Sequence, residues 1–308
     1  TRVNVTINGI AYNDAESHGT FWVNLSDFAS SVSDLQLQRG VGTSTNGAAA
    51  FGASININTT ESSEDAYALL SSSAGSFNTF KNTIKFSTGL SESGFELSGR
   101  LSGITSDGYI DRASSNLKGY FLQGTYNSVN TKIKALTFGG HERTYQAWYG
   151  IDQDVLKENR TYNPAGEQYN ESGVLEGYYN DQVDNYNQDH TQLHIEQRLS
   201  SSSRLSLGLN YTHGYGYYQE FYDLWYDQNV SFGGDTAYAY LKLQPRIING
   251  QSITATENAV RKWLNNDFYA ANVLYHYKKG KHNISAGAYY SSYVGLHFGA
   301  LMWANNAD

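Results

Sequence analysis

Cysteine is absent from the 308 residues, proline occurs twice and methionine once. Without cysteine the chain has no disulfide, no thiolate nucleophile and no cysteine metal site. Also missing is any apolar run near the roughly 20 residues that a membrane helix needs, and the mean hydropathy is −0.52. This excludes helical insertion but not a barrel, whose strands turn apolar side chains to lipid only at alternate positions. Basic residues are in deficit: 21 Lys and Arg against 29 Asp and Glu leave a net charge of −8. That argues against a nucleic-acid partner, since phosphate binding wants a basic face. No HExxH, GxSxG, P-loop or EF-hand spacing occurs. A glycosidase with paired carboxylates has no fixed motif, but the sidedness of the loops, described below, argues against one. No enzyme, no cofactor and no bound metal are expected.

Glycine (30) and tyrosine (26) are abundant instead. Tyrosine favours strands and membrane interfaces, and glycine favours turns. Alternating segments predict strands near 65–74, 81–90, 94–104, 117–127, 131–140, 190–199, 204–213, 267–277 and 282–293. The cleanest is 204–213, where Leu205, Leu207, Leu209 and Tyr211 oppose Arg204, Ser206, Asn210 and Thr212. Tyr269, Ala271, Val273, Tyr275 and Tyr277 likewise share one face. Period-two alternation belongs to a sheet with one apolar face.

The connections are sided. Tight turns fall at Ser91-Glu92-Ser93, Ser128-Val129-Asn130, Ser200 to Ser203 and Lys278 to Lys281. Long connections, about 105–116, 141–189 and 214–266, alternate with them. Outer-membrane barrels have this pattern of short periplasmic turns and long extracellular loops. The fold class expected is all-β: a transmembrane antiparallel β-barrel. Nine strands fall short of the about 22 of a plugged barrel, and an open sheet edge is not viable in lipid. The 308 residues are therefore expected to be an internal piece of a longer protein, with Thr1-Arg2-Val3-Asn4 already reading as strand rather than signal peptide and His297 to Asp308 as the start of another outward loop.

One stretch goes further. Residues 36–59, QLQRGVGTSTNGAAAFGASININT, run from an alternating strand through a glycine-spaced turn (Gly40, Gly42, Gly47, Gly52) to a second strand, Ser54-Ile55-Asn56-Ile57-Asn58. Glycine takes positive φ freely, so the spacing marks tight bends between short strands. The pattern resembles the end of the plug domain of TonB-dependent outer-membrane receptors, which carry an Arg-Gly, a small-residue turn, a Gly-Gly and an Ile-Asn-Ile strand. Arg39, Gly40, Gly47, Gly52, Ile55, Asn56 and Ile57 fall on it. Val41 stands where many members have proline, and Ala53 replaces the second glycine. Val5 to Ile10 and Asn13 to Ser17 are similar to the preceding plug strand and loop, and look most like receptors of the Bacteroidetes group. Ser106 to Arg112, Thr144 to Trp148 and Arg160 to Gly166 extend the resemblance over nearly the whole chain.

What the resemblance implies is a receptor in the bacterial outer membrane. Residues 1–62 would be the C-terminal part of the plug and 63–308 the first barrel strands with their extracellular loops. An extracellular nutrient, an iron chelate in the first reading, would bind the loops and plug apices. The TonB-ExbB-ExbD complex would then drive active transport. A glycan or peptide importer working with a surface lipoprotein is the alternative within the family. A secreted carbohydrate-binding or adhesive β protein is the alternative outside it. Arg39 is expected to pair with an inward acid such as Glu96 or Glu196.

The loops hold the candidate chemistry. Tyr145, Trp148, Tyr149, Tyr178, Tyr215, Tyr217, Tyr222 and Trp225 form an aromatic set that could line a ligand vestibule, since aromatic faces bind flat ligands and lend hydroxyls. Loop packing and the aromatic girdle of such barrels are the competing explanation. The acids of the same loops, Asp152 to Asp189, read as a solvated surface. His190 and His194 read as inward polar residues, about 13 Å apart on a strand and too far for shared metal ligation.

Overall fold

The computed structural model describes residues 3–40, 51–170, 172–223, 237–248 and 250–305. Four short strands come first: β1 (Val3–Ile7), β2 (Ile10–Ala11), β3 (Val32–Arg39) and β4 (Ala53–Thr59). They form one sheet in the order β2-β1-β4-β3. β4 lies parallel to β1, with Val5 opposite Ile55 and Ile7 opposite Ile57, and antiparallel to β3. Gly40 leaves β3 at φ +78°, a left-handed angle that glycine takes without strain, and its N–H donates to Gly52 O at 2.8 Å.

The rest of the chain is a meander. Its strands are β5 (Ala66–Gly75), β6 (Thr79–Thr88), β7 (Phe95–Ser106), β8 (Ser115–Asn127) and β9 (Thr131–Tyr145). A hairpin, β10 (Glu167–Tyr169) and β11 (Leu175–Tyr178), precedes β12 (Val183–Ser200) and β13 (Ser203–Tyr222). A second hairpin, β14 (Arg246–Ile248) and β15 (Gln251–Ile253), precedes β16 (Asn258–Lys279) and β17 (His282–Ala304). Nine of these strands pair antiparallel with their sequence neighbours, in the order β17-β16-β13-β12-β9-β8-β7-β6-β5. Short turns join β7's start to β6, β8 to β9, β12 to β13 and β16 to β17. The longer connections lie at the opposite end.

Strand parity sorts the side chains. The N-terminal sheet covers one face, here called inner. Val5, Ile7 and Ile57 from that sheet, with Leu25 and Phe28 from the segment after β2, pack against Phe121, Leu136 and Phe138 of β8 and β9. Phe28 and Phe138 have ring centroids 4.8 Å apart. The inner face is otherwise polar, with Gln123, Gln192, Asn210 and Thr212 buried. The outer face carries Leu205, Leu207, Leu209, Val273 and their neighbours. Leu209, Tyr269 and Val273 are exposed, and no second sheet covers this face among the described residues.

Two expectations are corrected. The upper strands are longer than alternation suggested: β12, β13, β16 and β17 run 18, 20, 22 and 23 residues, where about 9–11 cross a bilayer. Beyond the bilayer there is no lipid to impose an apolar face, so alternation fades while the ladder continues. Residues 297–304 are accordingly strand, and Tyr215, Tyr217 and Tyr222 sit on β13 rather than in a loop. Arg39 makes no ion pair among the described residues. Glu96 instead accepts from Ser63 N, Ser87 Oγ and Thr125 Oγ1, and Glu196 pairs with Arg204 at 3.4 Å. Of the polar side chains on β4, Asn56 Oδ1 accepts from Thr6 Oγ1 and Asn58 Nδ2 donates to Asp34, but the buried Ser54 hydroxyl has no hydrogen-bond partner.

Candidate functional site

The N-terminal part of the chain is tied to the inner wall at two places. One is Asp27, at a left-handed φ of 53°. Its carboxylate takes Lys81 Nζ from β6, Arg100 Nη1 from β7 at 3.1 Å and Ser30 Oγ at 2.7 Å. Arg100 Nε also donates to Ser31 Oγ at 2.7 Å. Burial opposes ionisation of Asp27. The hydrogen bonds from Lys81 and Ser30 and the Arg100 and Lys81 charges outweigh it and hold the carboxyl below the usual range. Close backbone approach makes this possible. A Cβ on Gly119 would lie 2.3 Å from Ser26 O, so glycine is needed where the segment meets β8.

The other is the loop 12–21 with the turn before β2, and the loop is self-braced. Asn13 Oδ1 accepts from Val5 N, and its amide donates to Val3 O and His18 O. Asp14 Oδ1 accepts from Ser17 N and Ser17 Oγ, both at 2.7 Å. Tyr12 reaches the wall: its hydroxyl lies 3.1 Å from Phe21 O and 3.3 Å from Gln188 Oε1, and its ring centroid is 5.7 Å from that of His190. Burial, with Tyr186 and Glu142 nearby, pushes the Tyr12 hydroxyl far above the ordinary phenol range, so it stays a neutral donor. Asn8 Nδ2 donates to Gln192 Oε1 at 3.0 Å, and Asn272 Nδ2 to Gly9 O at 3.1 Å.

Beside the Tyr12 tie, loop and wall border a cavity of about 410 Å³. The loop contributes Tyr12, Asp14, Glu16 and Phe21; the wall contributes Glu142, Asp184, Tyr186, Tyr218 and Tyr293, among others. Tyr218 leads to a rim. Trp148 meets it edge-on at 6.2 Å. Glu220, two residues on and on the same inner face, accepts from Tyr149 at 2.9 Å, Tyr222 at 2.5 Å and Lys262 at 2.6 Å. Burial and the Glu220 carboxylate push the Tyr149 hydroxyl up to about 12.

The aromatic set foreseen as one vestibule is therefore split. Trp148, Tyr149 and Tyr222 stand at the inner rim. Tyr215 and Tyr217 have the opposite parity and pack against Trp263 at a tilt on the outer side, with ring centroids 5.2 and 4.6 Å away. Tyr145 is buried, its hydroxyl near Ala165 O and Tyr179 O, and Arg112 lies 3.4 Å over the Tyr178 ring. These four pack loops and strand ends. Trp225 and Gly47 fall outside the described residues. Asp184, read as solvated surface, lines the cavity, as does Glu142, which sequence reasoning missed. Parity counted from Asn210 and Thr212 would have placed Tyr218 and Glu220 inward. His190 and His194 are inner-face residues, bonded to Thr212 and Gln192. No group of three or more His, Asp or Glu among the described residues could hold a metal ion.

No family model and no curated protein sequence matches the chain. Solved structures do. The chain is similar to the siderophore receptor PiuA from Acinetobacter baumannii, at 14% identity and TM-score 0.62 over 94% of this chain and 38% of that one. It is similar to the ferric-catecholate import receptor Fiu from E. coli K12 in its open form, at 13% identity and TM-score 0.64 over 94% and 42%. It is also similar to the copper transporter OprC, at 11% identity and TM-score 0.60 over 97% and 39%. The chain thus spans about two fifths of the length of these structures. The fold is all-β, nine antiparallel strands forming part of a β-barrel such as these structures contain.

Proposed function

We propose that the chain is the end of a plug domain, residues 1–62, with the first barrel strands, 63–308, of a bacterial outer-membrane receptor. The receptor imports an extracellular nutrient by TonB-driven active transport. One observation carries the reading: a small sheet and its following loop are seated on the polar inner face of a meander whose long connections all lie at one end. A barrel needs such a seat for a plug, and a soluble sandwich does not. The bare outer leucines and valines speak against the secreted carbohydrate-binding alternative, which must cover that face.

In this reading the cargo binds between the loop 12–21 and the rim at Trp148, Tyr149 and Tyr222. The TonB-ExbB-ExbD complex pulls the plug from the periplasm, and the ties at Asp27, Asn8 and Tyr12 must yield before cargo passes. No bond is made or broken in the cargo. An iron chelate is the proposed cargo class, in keeping with what the names of two of the similar structures say of those proteins.

The test is uptake by cells carrying or lacking the full-length gene. Ferric chelates should enter only with the gene, and entry should stop when TonB is deleted or the proton gradient is collapsed. Uptake unaffected by both treatments would overturn the transporter reading. Recovery of the full-length protein in the soluble fraction without detergent would overturn the membrane location.

A further inference from the structure

Glu142 is 2% exposed and lines the cavity, yet neither of its carboxylate oxygens has a hydrogen-bond partner. A buried carboxylate left without donors is costly, and proteins rarely leave one so. The donor it lacks is not supplied by the wall. Three further carboxylates, Asp14, Glu16 and Asp184, border the same space, and no lysine or arginine among the described residues does. Lys262, an inward cation on the rim, is already held by Glu220 and Tyr222. The remaining lining is largely aromatic: Tyr12, Phe21, Tyr186, Tyr218, Phe268 and Tyr293.

We infer that this cavity binds a ligand through an organic cation, an ammonium or guanidinium group that donates to Glu142 while its carbon framework lies on the tyrosine and phenylalanine faces. The inference rests on the receptor reading above and names the charge of the cargo at this site. Ring faces attract cations, and more so when water is excluded. A charge-assisted hydrogen bond to a carboxylate is about twice as strong as a neutral one. A bare divalent ion is a poor occupant. Hard cations want six or more oxygens, and no group of three His, Asp or Glu among the described residues could hold a metal ion. An anionic chelate meets four carboxylates and no counter-charge. Asp14 is satisfied by its own loop, and Glu16 lies 3.5 Å from His297 Nε2. Glu142 is therefore the acid left to meet the cation, with Asp184 lining the same space.

The test uses the full-length receptor in detergent and dansylcadaverine, an aromatic fluorophore ending in a primary ammonium. Fluorescence anisotropy should report binding. N-acetylation of the amine, which removes the charge and two of its three N–H donors, should weaken binding at least tenfold. Glu142→Gln should weaken the ammonium probe at least tenfold and leave the acetylated probe unchanged. Glu196→Gln, at the far end of β12, should change neither. Competition separates two sources of such a group: a ferric trihydroxamate with a terminal ammonium, or a basic peptide such as tetralysine. Displacement by either supports the inference and identifies the source. Equal binding of both probes to the wild type, or no binding at millimolar concentration, overturns it. So does tighter binding of a carboxylate-terminated dansyl probe. The comparison of probes on the wild type stands even if Glu142→Gln fails to fold. If the probes bind equally while uptake stays TonB-dependent, this inference fails alone. If uptake needs no TonB, the receptor reading fails with it.

Discussion

Neutralising Asp27 should release the N-terminal sheet from the barrel wall. The Asp27 and Arg100 side chains are only 5% and 2% exposed, so Asp27→Asn strands a buried guanidinium. Removing one partner of a buried pair costs about 3–5 kcal/mol. Lys81 is 35% exposed and recovers water when its partner is lost. The lower end, about 3 kcal/mol, is therefore expected, or roughly a hundredfold in the equilibrium between seated and released states. The chain has no cysteine, so a single Ser98→Cys, buried on the inner face of β7 two residues from Arg100, can report release. Maleimide labelling in sub-denaturing urea should accelerate by that factor in the Asp27→Asn background. Asp154→Asn, which breaks the exposed pair with Lys157, should change the rate less than about threefold, because exposed pairs contribute little. The pH dependence has a definite sign. The folded carboxyl of Asp27 titrates below its unfolded value. Its stabilisation is therefore complete above the ordinary carboxylate range and is lost as pH falls through the lowered value. Read with a dipyridyl disulfide, which reacts with thiols in acid where maleimide lacks the thiolate it needs, wild-type labelling should speed up under strongly acidic conditions toward the variant's rate. An Asp27→Asn rate within threefold of wild type at neutral pH would refute the reasoning.

Leu207→Arg or Val273→Arg, on the outer face, should impair barrel assembly by about 2–4 kcal/mol near the midplane. Ser206→Arg on the inner face should be much milder, and equal assembly yields in lipid would void the face assignment. Cysteines at Asn170 and Gly280 should label oppositely on intact cells, the first accessible and the second protected; the reverse pattern would invert the topology. Gly119→Val should displace the segment around Ser26, where even a Cβ would meet backbone at 2.3 Å, and raise Ser98→Cys labelling while the barrel still assembles. An unchanged labelling rate would show that the close approach is not kept in solution.

The sequence by itself determined the all-β class, all nine strands of the meander and the sidedness of their connections. These are local properties: period-two alternation marks a strand, and serine, glycine and lysine turns mark its ends. Arg39 to Ile57 likewise announced its short strands through glycine spacing and alternation. Tertiary structure alone decided the rest. Whether a tyrosine faces cavity or lipid depends on strand parity carried through ladder register, which separates Tyr217 from its neighbour Tyr218. Where strands rise beyond the bilayer, hydrogen bonding sustains them without an apolar face, so β13 and β16 outran their sequence signal. The partners of Asp27, Lys81 and Arg100, lie 54 and 73 residues away in the chain. Glu142 is one acid among many in the sequence; only the fold buries it beside Asp184 and withholds every donor, because a site assembled from a loop and five strands has no signature along any one of them.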